Sequence, residues 1–352
     1  MKIAITCDTL ITRNHYTEIV ESICEIFPEA RLYCFVHKAG KILGHIEQRV
    51  ITSSYLSHQI TSDEDFWKKS YQYPRLASNL FVSCEYNLII NISNGFSQGF
   101  KKCDQTKMIT FLYDDSFENK IKKTLIQKIF YSYVVSWAQK SLTKPDVVLV
   151  AREDMKNRFQ KYASSIEVVP PPFRISDYSL FPKEMFPHHF FLIESEGLSS
   201  EQAKMIINWM EEWKLEFQFI GNDDHLVSLK SNLPEKRFFG NKCSGEHTPV
   251  LAASKALISF NENSFPKLAL GAMATGRPVI LANGLKKWVS GTGTYFASFT
   301  KESLKTMIDE VQVNEGSLDP QKIRAHAIFY HDVKFKAKIK RVIEELGGIK
   351  VN

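Results

Sequence analysis

Two short stretches carry side chains whose types and placing could do chemistry. The first is Asp114-Asp115, which follows the apolar run Phe111-Leu112-Tyr113. Carboxylates at the C-terminal end of a strand can act as metal ligands or as an acid/base pair, and α/β proteins build their sites at such ends. Adjacent residues on an extended strand point to opposite faces, so a joint role needs a turn between them. A plain turn or cap is the competing reading. The second stretch runs from Phe265 to Ile280 and is preceded by Glu262-Asn263-Ser264. A strand ending near Phe260 leads through this polar loop into a helix opening near Pro266, a residue suited to a first turn. The free N–H groups and dipole of such a helix start bind phosphate. Lys267 reads either as a compensating positive charge there or as a solubilising surface lysine. Gly276 can close the helix in the left-handed conformation. Gly271, Ala272 and Ala274 are small enough to let the helix lie close to a sheet.

The remaining reactive side chains are dispersed. His188-His189 precede a strand, and His225, His247, His326 and His331 are isolated. None has a companion at metal-ligand spacing, and solvated or capping roles are expected. The six cysteines, Cys7, Cys24, Cys34, Cys84, Cys103 and Cys243, form no C-x-x-C pair and no zinc-spaced cluster. Several lie within apolar runs, as buried free thiols do.

Parallel strands and helices must position these groups. Residues 2–7 read as a buried strand. A helix follows in which Tyr16, Ile19, Val20, Ile23, Ile26 and Phe27 recur at helical spacing until Pro28 stops it. Residues 31–37 form the next strand, which makes a βαβ unit and implies a parallel sheet. Strands are expected at 87–92, 108–113 and 146–151, with helical patterns at 116–139 and 152–162. Val168-Val169-Pro170-Pro171-Pro172-Phe173 is a stiff extended connector, because three prolines continue neither a helix nor a central strand. The pattern then restarts, with strands at 190–193, 215–220, 237–239, 257–260, 278–282 and 296–299. Helices are expected at 200–214, 248–256, 266–275 and 302–311, and the lysine-rich tail 319–346 reads as helical. The sum is an α/β protein of two Rossmann-like doubly wound domains facing a cleft. The expected boundary falls after Pro172, giving domains 1–172 and 173–352, with the last helix free to cross back to the first.

Bulk properties narrow the class. At 352 residues the chain suits two domains of ordinary size. A net charge of +6 with scattered lysines argues against a dedicated nucleic-acid binder. The opening residues 1–8 are not expected to act as a signal peptide, and no apolar stretch reaches the ~18 residues a spanning helix needs. Cytoplasmic residence is expected, with any membrane contact peripheral at the inner face. The lysine-rich stretches near Lys120–Lys140 and Lys334–Lys340 permit such a contact, and a solvated face explains them as well.

The run Phe265 to Ile280 resembles the donor-site segment of retaining glycosyltransferase family 4, whose members have the GT-B fold. Other stretches follow in the same order. Val168 to Phe173 is similar to the family's interdomain entry, and Phe219-Ile220-Gly221 to a strand end with a donor-proximal glycine. Arg237-Phe238-Phe239-Gly240 is similar to the stretch before the base-binding region. Residues 19–35 resemble the N-terminal unit of bacterial mannosyltransferase-like members, which assemble O-antigen or other polysaccharides. The resemblance implies a nucleotide-sugar co-substrate, no metal and no further cofactor, and retention of anomeric configuration. It places the donor on the C-terminal half and a glycan, lipid-linked or protein acceptor on the N-terminal half. The residues it assigns to donor binding are Gly221, Asn263, Ser264, Phe265, Pro266, Lys267 and Gly271. Thr12, Arg13 and Asn14 form the acceptor-side loop, and Asp114, Asp115 and Glu262 are the catalytic candidates.

Four departures from the family pattern bear on mechanism. The family carries one glutamate before this helix and one within it, where this chain has Asn263 and Gly271; Glu262 is one residue away from the first. The family's Arg and Lys that neutralise the donor diphosphate align with the acidic stretch Glu194 to Glu201. Its glycine-rich loop aligns with Thr12-Arg13-Asn14-His15-Tyr16, which has no glycine. Its histidine after the fourth strand aligns within 111–116. An alternative expectation is therefore a catalytically inactive GT-B protein that acts as a binding or scaffolding partner.

Overall fold

The computed structural model describes residues 1–114, 117, 125–182, 185, 189–230, 234, 237–240, 244–262 and 264–347, with backbone alone at 125–128, 224, 227, 228 and 244. Asp115, Asn263, His188 and Cys243 lie outside the described residues. The chain divides into two compact units. One comprises Met1–Pro172 together with the chain from Asp332 onward; the other is Phe173–His331.

The first unit holds β1 (Ile3–Leu10), β2 (Arg31–His37), β3 (Ile51–Ser53), β4 (Leu88–Ser93), β5 (Lys107–Leu112), β6 (Val147–Val150) and β7 (Ile166–Val168). They form one sheet of seven strands in the order β3-β2-β1-β4-β5-β6-β7, and every pairing is parallel. Its central strands are near-continuous apolar runs because helices cover both faces. These helices are α1 (His15–Ile26), α2 (Asp63–Lys68), α3 (Tyr73–Asn79), α4 (Leu125–Lys140) and α5 (Glu153–Phe159). α1 buries Tyr16, Ile19, Val20 and Ile23, four of the six positions its spacing marks out; Ile26 and Phe27, at its end, are half-buried.

The second unit holds β8 (Phe190–Glu194), α6 (Ser200–Glu212), β9 (Glu216–Ile220), α7 (Ser244–Ala253), β10 (Leu257–Ser259), α8 (Lys267–Ala274) and β11 (Val279–Ala282). β12 (Thr294–Ala297), α9 (Lys301–Asn314) and α10 (Pro320–Ile328) complete it. Its sheet has five strands in the order β12-β11-β10-β8-β9, again all parallel. A final helix, α11 (Asp332–Gly347), packs in the first unit. Each sheet reverses strand order once, between β1 and β4 in the first and between β8 and β10 in the second. In open α/β sheets, ligands bind at the carboxyl ends of the strands at such a switch point.

Some local expectations give way. Residues 237–239 contribute a single bridge, Phe238 to Phe219, rather than a strand. The strand expected at 296–299 lies at Thr294–Ala297. The tail breaks into α10 and α11 rather than continuing as one helix. β7 immediately precedes the proline run, so Val168 belongs to the sheet and not to the connector. Cys7, Cys24 and Cys34 are buried free thiols. Cys84 and Cys103, which precede the neighbouring strands β4 and β5, are joined as a disulfide with Cα atoms 5.4 Å apart. Among the described residues no helix is long and apolar enough to cross a membrane.

Candidate functional site

At the switch point of the second unit, β8 ends in Glu194 and β10 in Ser259. The two are bonded: Ser259 Oγ donates to Glu194 Oε2 at 2.5 Å, and Asn261 Nδ2 donates to Oε1 at 3.2 Å. Glu194 is buried. Loss of solvent pushes its carboxyl up to about 7, with nearby Glu196 adding to the rise and the two donors opposing it. The acidic stretch seen in the sequence therefore presents less charge than its composition implies. Glu194 faces inward, while the exposed Glu196 accepts from the Asn222 amide at 3.3 Å.

The loops around this point approach closely. Gly197 has φ +84°, and a Cβ on it would lie 2.7 Å from Asn261 Cα. Gly221, at the end of β9, has φ +99°, and a Cβ there would sit 3.3 Å from Ser195 Oγ and 3.5 Å from Leu268 Cδ1. Gly221 thus lets the β9 strand end pass against the loop after β8 and the first turn of α8. Lys267 opens α8 and is half-buried. It lies near enough to His247, in the first turn of α7, to oppose that ring's protonation. His247 is buried rather than solvated. Burial, the largest influence, and then Lys267 hold its pKa below the usual histidine value against a hydrogen bond to the Gly240 backbone. Phe239 lies 6.0 Å from its ring.

The other residues assigned to donor binding divide by placement. Ser264 is exposed. Pro266 is the N-cap of α8, one residue outside the helix it was expected to open. Phe265 is a core residue: its ring meets Trp288 at 5.2 Å and Tyr330 at 5.4 Å. Gly271 is also a packing position. A Cβ on it would lie 2.7 Å from Tyr178 Cε1 and 3.2 Å from Leu251 Cδ1, so no open face remains for a ligand. Glu262 is exposed, and its Oε1 accepts from the Gly284 amide at 2.7 Å, which ties its loop to the turn after β11.

The first unit has a matching arrangement at its own switch point. Asp8, on β1, is buried and accepts hydrogen bonds from the Asn94 amide and, at 2.5 Å, from the Ser97 amide of the loop after β4. Burial raises its carboxyl to about 6 against those donors. Tyr16 of α1 closes the network, its hydroxyl accepting from the Asp8 amide at 2.7 Å and donating to Ile92 O at 2.8 Å.

Beside this network, His15 and Tyr113 come together. The Tyr113 hydroxyl is 3.0 Å from His15 Nδ1, and His15 Nε2 is 2.8 Å from Pro172 O. A carbonyl only accepts, so Nε2 carries the proton, and Nδ1 of a neutral ring accepts from Tyr113. Asp114 follows Tyr113 at the strand end and is half-buried. Sequence reasoning missed the His15–Tyr113 pair because the partners are far apart in the chain; Tyr113 at a strand end was the one available signal.

The acceptor-side loop is structural where its contacts are described. Asn14 is the N-cap of α1 in a capping box with Thr17. Arg13 bonds the buried Glu21 at 2.7 Å and Ile42 O at 3.1 Å. Thr12 is exposed. Among the described residues no group of three or more His, Cys, Asp or Glu side chains is placed to hold a metal ion.

No family model and no curated protein sequence matches the chain. Solved structures do match it along its length. A structure of Anabaena HepE in complex with UDP is similar with a TM-score of 0.70 and 15% identity, covering 98% of this chain and 100% of that one. An α-glucosyltransferase in complex with UDP-glucose and DNA containing an abasic site is similar with a TM-score of 0.57 and 9% identity, over 97% and 99% of the two chains. A UDP-N-acetylglucosamine 2-epimerase gives a TM-score of 0.57 and 9% identity, over 99% and 97%. With its two parallel-sheet α/β units, the chain has the GT-B fold.

Proposed function

We propose that this chain transfers a sugar from a nucleotide-sugar donor, receiving the donor at the carboxyl strand edge of its second unit. The observation that carries the reading is the switch point between β8 and β10. There Gly197 and Gly221 adopt positive φ; Gly197 brings the loop after β8 against Asn261, and Gly221 brings the end of β9 against the first turn of α8, which starts at Lys267 near His247. A helix start with an adjacent ammonium group suits a diphosphate. In the first unit, His15, Tyr113 and Asp114 supply polar groups at the corresponding strand edge, where a glycan, lipid-linked or protein acceptor would be received. Retention of configuration and a role in polysaccharide assembly follow from the family resemblance. UDP is the first nucleotide to test, because HepE and the α-glucosyltransferase were solved with UDP and UDP-glucose.

Thermal shifts with UDP-, GDP-, CMP- and TDP-sugars test the reading. A ligand at a hundred times its Kd stabilises the native state by about 2.7 kcal/mol, which is readily measured. Absence of a shift with every nucleotide overturns the proposal. A second reading, a non-catalytic binding partner, is favoured by one observation: the acidic stretch Glu194 to Glu201 falls where the resembled family has its Arg and Lys. That reading predicts stabilisation by a nucleotide without release of nucleoside diphosphate from its sugar conjugate in the presence of any acceptor class.

A further inference from the structure

The disulfide Cys84–Cys103 takes no part in the proposed sugar transfer. Its cysteines precede β4 and β5, at the amino edge of the first sheet and opposite the carboxyl edge that holds the switch point. Their Cα atoms are 5.4 Å apart, within the range a disulfide spans. Cys84 is exposed and Cys103 half-buried. The bond therefore sits at the surface, open to a thiolate from solution. Cys7, Cys24 and Cys34 are buried free thiols, closed to the same reagent.

The loops that carry the two sulfurs do not depend on the bond to stay together. On one side the Val82 amide donates to Lys101 O at 2.9 Å, and the Lys101 amide donates to Leu80 O at 3.1 Å. On the other the Thr106 hydroxyl donates to Tyr86 O at 2.9 Å. Val82, Tyr86 and Thr106 are buried. Breaking the bond leaves Cys84 and Cys103 held as neighbours, so closing it again is a step between groups already in place. In a reducing compartment glutathione keeps accessible thiols reduced, and a surface pair of this kind follows the poise around it.

We infer that Cys84 and Cys103 form a site of reversible thiol–disulfide exchange whose co-substrate is a small thiol of the glutathione class. The thiolate attacks Sγ of the exposed Cys84 and forms a mixed disulfide there, while Cys103 leaves as a thiolate and takes up the proton the first thiol gave up. A second thiolate attacks the small-thiol sulfur of the mixed disulfide, and Cys84 leaves as a thiolate and is protonated. The protein disulfide gains two electrons, and two small thiols become one small disulfide. The bond joins residues separated by 19 positions. That segment contains all of β4 and the loop whose Asn94 and Ser97 amides bind Asp8. The state of the bond at one edge of the sheet thus sets the stability of the segment that reaches the switch point at the other. The inference does not depend on the proposed sugar transfer, because none of its steps uses a donor or an acceptor.

The test is incubation of the native full chain with reduced and then with oxidised glutathione, followed by acid trapping, alkylation and peptide mapping. Reduced glutathione should label Cys84 and Cys103 without unfolding the chain, while Cys7, Cys24 and Cys34 stay unlabelled until denaturant is added. Oxidised glutathione should restore the bond. The reduced chain should melt about 6–12 °C lower, from a closed loop of this length in a unit of this size. Its amides at 94–99 should exchange faster with deuterium. Cys84→Ser and Cys103→Ser should each melt like the reduced wild type and no longer respond to glutathione. A bond that native protein keeps in excess reduced glutathione overturns the inference in favour of a permanent staple. Reduction that occurs only on unfolding, or two thiols that oxidised glutathione does not join, overturns it as well.

Discussion

Glu194 and Asp8 are buried carboxyls at the switch points of the two sheets, and each accepts hydrogen bonds from the end of the neighbouring strand or the loop after it. Their donors favour the carboxylate, but burial outweighs them and raises both groups, to about 7 and about 6. A carboxyl raised on folding binds its proton more tightly in the native state than in the unfolded chain. Its contribution to stability is therefore full at low pH and is lost as pH rises through the folded value. For Glu194 the window runs from the ordinary glutamate value to about 7, and the loss is on the order of 3 kcal/mol. The share due to Asp8 is exhausted above about pH 6. Glu194→Gln should flatten the decline in denaturant-measured stability between pH 6 and pH 7.5 and make it shallower between the ordinary glutamate value and pH 6, where the share due to Asp8 remains. An unchanged slope above pH 6 would show that Glu194 ionises freely in the folded state. The sequence showed these acids only as charge. Their burial depends on Ser259, Asn261 and the loop after β4, which lie tens of residues away, and no local pattern announces that. His247 was unreadable for the same reason: its burial comes from Phe239, Gly240 and Lys267 converging on α7.

At the scale of elements the sequence was most legible where a continuous apolar run met a single period. β2 falls on the residues expected, and α1 starts after Asn14 and ends before Pro28, because capping and proline chemistry are local. β3, α2 and α3 had no comparable signal. β3 is three residues long and largely exposed, and the two helices have only one or two turns each. Asn14→Ala should cost about 1 kcal/mol by leaving the Thr17 amide without its side-chain acceptor, measurable as a lower denaturation midpoint at unchanged m-value. α8 gives a sharper case. Its small residues were read correctly as packing devices, yet Gly271 was also assigned to the donor. Alanine in a helix gains about 1 kcal/mol over glycine. At Gly271 the added carbon would meet Tyr178 at 2.7 Å, and that ring is stacked on Phe173 at 5.1 Å and has little room to move. Overpacking costs about 1–3 kcal/mol, so Gly271→Ala should lower the melting temperature despite better helix propensity. Gly271→Glu, which supplies the carboxylate of the resembled family, should unfold the second unit rather than add activity; circular dichroism melts distinguish the two outcomes.

For the whole molecule, the two parallel-sheet halves were legible in the repetition of strand and helix along the sequence. The place of the last helix was not legible, because an amphipathic pattern names a buried face without naming what buries it. In the structure α11 completes the first unit. Phe335, Ile339, Val342 and Ile343 are buried, and Phe335 meets Phe111 edge-on at 5.3 Å. Lys336 and Lys338 pair with Glu25 and Glu167, each at 2.6 Å. Four buried side chains at about 1.5–3 kcal/mol each amount to roughly 6–12 kcal/mol as an upper estimate. That is comparable to the whole stability of an ordinary domain, about 5–15 kcal/mol, whereas partly exposed ion pairs add little. A fragment of residues 1–172 should therefore lack a cooperative melting transition, although it contains every strand of its sheet. Supplying residues 332–347 as a peptide should restore the transition in a concentration-dependent way, and Phe335→Ala in the peptide should weaken that rescue. If 1–172 alone melts cooperatively at the temperature of the full chain, α11 contributes far less than its burial implies, and the first unit is complete without the end of the chain.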